Sequence, residues 1–142
     1  MATSSEGGQS GNLADDEPSI LLLEDDPADA EIIMEVLRAA PVPHRLQWVP
    51  SLPAARRALQ AGRFDLLLTD LQLPGVEKLG ALETIHGLLS ELAVIVITGQ
   101  SDWDEGLRFV RAGAQDFFLK DQLDGERLSR AIQTAIIRKR RE

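Results

Sequence analysis

The sequence predicts a doubly wound α/β sandwich, with five parallel strands in the order 2-1-3-4-5 and a helix after each. Three observations predict it. Strand-like and helix-like segments alternate strictly from Ser19 to the end of the chain. The runs Ile20-Leu21-Leu22-Leu23, Leu66-Leu67-Leu68 and Val94-Ile95-Val96-Ile97 are continuously apolar, as in parallel strands buried on both faces. Carboxylates or a lysine follow directly on three of the strand-like runs: Glu24-Asp25-Asp26, Asp70 and Lys120. Ligands of such sheets bind beyond the carboxyl ends of the strands, where the strand order reverses.

The elements follow in order. Strand 1 is expected over 19–23. Asp26 then caps a helix with Pro27 at its first position, and Ile32, Ile33, Val36 and Leu37 line one face of that helix to about Ala39. Pro41 and Pro43 end it. Strand 2 is expected over 45–49. Ser51 caps the second helix, which stops at Gly62. Strand 3 is expected over 65–69, the third helix over 79–89 and strand 4 over 93–97. The fourth helix spans 102–112 and ends at Gly113; strand 5 spans 115–119; the fifth helix runs from about Asp124 to the end.

At 142 residues and 44% apolar composition the chain has enough material for one packed domain, 19–142. Residues 1–18 are rich in Ser, Gly and acids and read as a disordered acidic tail. No cysteine is present, which excludes disulfides and thiolate metal sites. The net charge of -8 argues against general nucleic-acid affinity. No stretch reads as a signal peptide or membrane span, so a soluble cytoplasmic protein is expected.

Glu24, Asp25 and Asp70 converge on the switch point between strands 1 and 3. Packed carboxylates repel unless a cation neutralises them. Oxygen-only ligands suit Mg2+, or Mn2+, which keeps positions for water and phosphate oxygens. A carboxylate can also accept a phosphoryl group. Thr98 ends strand 4 beside Gly99 and can donate to a phosphoryl oxygen; Lys120 can place a point charge on another.

From about Ser19 to Arg138 the chain resembles a bacterial response-regulator receiver domain, a flavodoxin-like or CheY-like fold. The resemblance rests on Leu23-Glu24-Asp25-Asp26-Pro27, Leu68-Thr69-Asp70-Leu71-Gln72-Leu73-Pro74, Ile97-Thr98-Gly99 and Ala112-Gly113-Ala114-Gln115-Asp116-Phe117-Phe118-Leu119-Lys120. It implies that Asp70 accepts a phosphoryl group from a histidine kinase or phosphotransfer protein. It implies that Glu24, Asp25, Asp70 and the backbone carbonyl of Gln72 hold Mg2+. Thr98 and Phe117 match the switch pair, Lys120 the phosphate-pairing lysine, and Gln72 and Gln100 two positions that tune hydrolysis. Two departures stand out: Asp121 where the family usually has proline, often after a cis bond, and a longer stretch from Pro74 to Ala81.

Local explanations compete with these roles. Asp26 is a helix cap rather than a ligand. His44 and His86 read as ordinary residues, Trp48 as packing beside strand 2 and Phe109 as core; Trp103 is without an assigned role. Leu128, Ile132, Ala135 and Ile136 carry an apolar stripe up to the basic run Arg138–Arg141, which suggests a dimer contact or connector through a long fifth helix. A homodimer through the fourth helix, fifth strand and fifth helix is a related expectation. A degenerate receiver that only docks or dimerises is the alternative function. An FMN carrier fits poorly, because its phosphate loop would be acidic here. An aspartyl phosphatase fits poorly too, because Gln72 stands two after Asp70 where an acid is required.

Overall fold

The computed structural model describes residues 17–40, 43–70, 87, 92–99 and 103–141, except the side chains of Glu105 and Phe109. The expected third helix apart from Gly87, which is helical, lies outside them, as do His86, Gln72, Gln100, the acidic tail before Glu17, the stretch Pro74 to Ala81 and the side chain of Phe109. The described strands are β1 (Ser19–Leu23), β2 (Arg45–Val49), β3 (Leu66–Asp70), β4 (Ala93–Thr98) and β5 (Asp116–Leu119). They form one parallel sheet in the order β2-β1-β3-β4-β5, which is the expected 2-1-3-4-5.

Four α-helices are described: α1 (Pro27–Arg38), α2 (Leu52–Ala61), α3 (Trp103–Arg111) and α4 (Gly125–Arg140). Side-chain caps start three of them. Asp26 accepts from the Ala28 amide, Ser51 from Ala54 and Asp124 from Glu126. Gly113 takes the left-handed conformation after α3, at φ 127°. Gly62 does not; its φ of -151° is extended, so α2 ends without the left-handed glycine that its sequence suggested.

Alternate strand residues feed two cores, one on each face of the sheet. Leu21, Leu23, Leu67, Val94 and Val96 pack with Leu52, Ala55 and Ala58 of α2. Ile20, Leu22, Leu66, Leu68, Ile95 and Ile97 pack with α1 and α4. Leu128, Ile132, Ala135 and Ile136 belong to this second core. The stripe on the last helix is thus covered by its own sheet and by α1, and Ile137 is the exposed apolar side chain at that end.

Strand β3 sits one residue later than expected. Asp65 is occupied at the start of β1: its amide donates to the Ser19 carbonyl at 2.8 Å, and its Oδ2 accepts from the Ser19 amide at 2.9 Å. At the other end the ladder continues to Asp70, which pairs with Ile97.

Candidate functional site

The register builds the site. Leu23 pairs with Thr69, so Glu24 and Asp70 are the next residues on neighbouring strands. Thr98 pairs with Leu119, so Lys120 follows directly beyond it. Asp70 and Thr98 are the last residues of their strands, and both are buried. Apolar strands hold these groups rigidly up to the point where chemistry begins.

Glu24, Asp25 and Asp70 each bring a carboxylate oxygen within 4.8 Å of the other two. Lys120 Nζ stands 2.8 Å from Asp70 Oδ2, 2.8 Å from Asp29 Oδ2 and 2.9 Å from Glu24 Oε1. The ammonium makes hydrogen bonds to Asp29 and Asp70. Glu24 Oε1 is touched but receives no hydrogen bond, though it is fully buried. Glu24 Oε2 accepts from the Asp26 amide at 3.1 Å. A buried carboxylate oxygen whose neighbouring ammonium is shared with two other acids, beside two further carboxylates, belongs to a donor set that a hard cation satisfies. These residues therefore fit Mg2+.

The charges respond to the crowding. Burial pushes the Glu24 carboxyl up to about 7; the neighbouring Asp70 charge adds to this, and Lys120 and the Asp26 amide oppose it. Burial also works against the Lys120 ammonium. Its pairs with Asp29, Asp70 and Glu24 outweigh that and hold it above the usual lysine range.

Glu24 is fixed through its backbone as well. Its amide donates to the Val49 carbonyl at 3.1 Å, and its carbonyl accepts from Trp48 Nε1 at 2.7 Å. Trp48, a residue of β2 itself, packs against the core on the α1 side of the sheet and also grips the acidic loop. Lys120 opens a 3-10 turn, Lys120–Gln122, that leads to α4. No described peptide bond is cis, so the chain passes Asp121 in a trans turn.

Phe117 lies on β5 one strand away. Its ring meets Trp103 of α3 and sits against Gly106, where a Cβ would come within 2.7 Å. A groove of about 480 Å³ runs beside it, lined by Trp103, Phe117, Arg127, Arg130 and Arg138 among others. None of the three clustered acids lines it, so this groove is separate from the chemistry.

The sequence reading missed Asp29. An acid in the first turn of a helix has a local explanation in the helix dipole. Its partner Lys120 is 91 residues away. The available signal was its position on the helix that starts at the acidic loop.

The family described as response regulator receiver domain matches residues 20–133. The C4-dicarboxylate transport transcriptional regulatory protein DctD of Pseudomonas aeruginosa is 29% identical over 75% of this chain and 22% of its own length. The swarming motility regulation protein RssB of Serratia marcescens is 30% identical over 79% of this chain and 50% of its own. The chain thus spans half or less of the length of these curated relatives. A receiver domain protein from Clostridium thermocellum superposes with a TM-score of 0.73 at 25% identity, covering 87% of this chain and 97% of that one.

Proposed function

The chain belongs to the response regulator receiver domain family, and from that premise we propose that it is a phosphorylation-activated switch of a two-component phosphorelay, with Asp70 as the acceptor. One observation carries the assignment: the buried Asp70 carboxylate, at the end of β3, lies 2.8 Å from an ammonium and inside a cluster of acids.

The donor is a phosphohistidine of a histidine kinase or phosphotransfer protein. A carboxylate oxygen of Asp70 attacks phosphorus; the O–P bond forms as the N–P bond breaks, and the imidazole leaves with the electron pair and takes up a proton. Glu24, Asp25 and Asp70 would hold Mg2+, with the Gln72 carbonyl as a further ligand, and the ion supplies neutralisation of the phosphoryl charge. Lys120 neutralises one phosphoryl oxygen and the Thr98 hydroxyl donates to another. Slow hydrolysis, tuned at Gln72 and Gln100, resets the switch.

The output is conformational. The phosphoryl group favours one of two states, and Thr98 and Phe117 carry the change to the face formed by α3, β5 and α4. The reading places the protein in the cytoplasm, where a kinase delivers the phosphoryl group. Among the described residues no helix is long and apolar enough to cross a membrane.

The test is phosphoryl incorporation from a small phosphodonor with Mg2+, followed by intact-protein mass. Wild type gains one phosphoryl group and Asp70→Asn gains none. Equal incorporation by both would remove Asp70 from its role, and incorporation by neither would leave a docking module as the reading.

A further inference from the structure

We propose that Asp29 is a positioning residue that holds Lys120 when Mg2+ takes the carboxylates Lys120 otherwise occupies. The inference rests on the functional reading above and extends it to a residue outside the acidic cluster.

The Lys120 ammonium has three protons and three anionic neighbours, at 2.8, 2.8 and 2.9 Å. Two of these neighbours, Asp70 and Glu24, belong to the cluster that fits a metal ion. The third, Asp29, does not. Cation and ammonium therefore compete for Asp70 and Glu24, and Asp29 is the described partner that the lysine keeps when it yields them. Asp29 stands in the first turn of α1. It is thus carried by a helix that is capped by Asp26 and buried through Ala30, Ile33 and Leu37, so the anchor stays fixed while the lysine stem swings.

The sign of the effect follows from the sharing. With all three anions present, each contact to the ammonium is partly redundant. Once the metal ion has claimed Asp70 and Glu24, the contact with Asp29 is the one that keeps a half-buried ammonium paired. Asp29 thus stabilises the metal-bound state more than the metal-free state. Asp29 is not one of the three clustered acids; it acts through Lys120.

The experiment is a double-mutant cycle read by Mg2+ affinity. Mg2+ alone is titrated into wild type, Asp29→Asn, Lys120→Met and the double variant, followed by calorimetry and by the emission of Trp48, whose indole bonds the Glu24 carbonyl. Thermal unfolding checks that each variant is folded. Asp29→Asn is expected to weaken Mg2+ binding by about three- to tenfold, the range for a partly buried charge-assisted contact. In the Lys120→Met background the same substitution is expected to have little effect. Unchanged affinity in Asp29→Asn overturns the proposal. An equal loss with and without Lys120 also overturns it, because Asp29 would then act only as a remote charge. Asp29→Glu, which keeps the anion, is expected to recover part of the affinity. Failure of wild type to bind Mg2+ at all overturns the functional reading and this inference together, an outcome distinct from the other two.

Discussion

The indole of Trp103 meets the Phe117 ring edge-on, with centroids 4.9 Å apart and planes 73° apart. Trp103 is 47% exposed, so its emission depends on the little shielding it has. If Phe117 moves with Thr98 on phosphorylation, the indole loses or changes its neighbour. The emission of a Trp48→Phe variant, in which Trp103 is the remaining tryptophan, is expected to change when a small phosphodonor is added with Mg2+. The same variant carrying Asp70→Asn is expected to stay constant. A constant spectrum in the phosphorylated protein would remove Phe117 from the switch.

Gly106 sets how close Phe117 can lie to α3. A Cβ at this position would stand 2.7 Å from Phe117 Cδ2. Gly106→Ala is expected to cost about 1–3 kcal/mol through overpacking, offset by about 1 kcal/mol of helix propensity. It should also shift Trp103 emission in the unphosphorylated protein. Combining it with Phe117→Leu, which withdraws the clashing ring atoms, should recover most of the loss. Urea unfolding of the two single variants and the double variant gives the coupling directly.

The pH dependence of the metal-free protein follows from Glu24. In the folded state this carboxyl titrates near 7, against 4.5 for the ordinary group. Between those values the folded protein holds the extra proton, so the contribution of Glu24 to stability falls as pH rises from 4.5 to 7. Urea unfolding in chelator at several pH values is expected to show this fall, and Glu24→Gln is expected to flatten it. A metal ligand has to be deprotonated, so Mg2+ affinity should rise with pH up to about 7 and level above it.

Core support for the acceptor is tested at Leu68, which is fully buried between the sheet, α1 and α4. Leu68→Ala is expected to lower stability by about 2–5 kcal/mol. Ile32→Ala, at a side chain 54% exposed, should change it by less than about 0.5 kcal/mol. Equal losses in urea unfolding would contradict the assignment of Leu68 to the core.

The strands could be read from the sequence because burial on both faces leaves a continuous apolar run, and Leu21, Leu67 and Ile95 are indeed fully buried. Asp70, Glu24 and Lys120 were readable because each follows such a run, where a charged residue has no place in the core. Asp29 was not readable, because nothing local separates a helix-dipole acid from a lysine partner. The stripe on α4 shows the other limit. Periodicity reveals that Leu128, Ile132 and Ile136 are covered, not what covers them, and here it is the protein's own sheet. The ends of β3 moved by one residue because Asp65 serves Ser19, a pairing between residues 46 positions apart.

Both backbone groups of Glu24 are claimed by β2: its amide by the Val49 carbonyl and its carbonyl by the Trp48 indole. Among the described residues β2 is an edge strand, paired only with β1, and edges open more readily than sheet centres. The Glu24 amide therefore exchanges with deuterated solvent only as often as this edge separates. The persistence time of one wall of the acidic cluster is then set by the breathing of a strand that contributes none of its carboxylates.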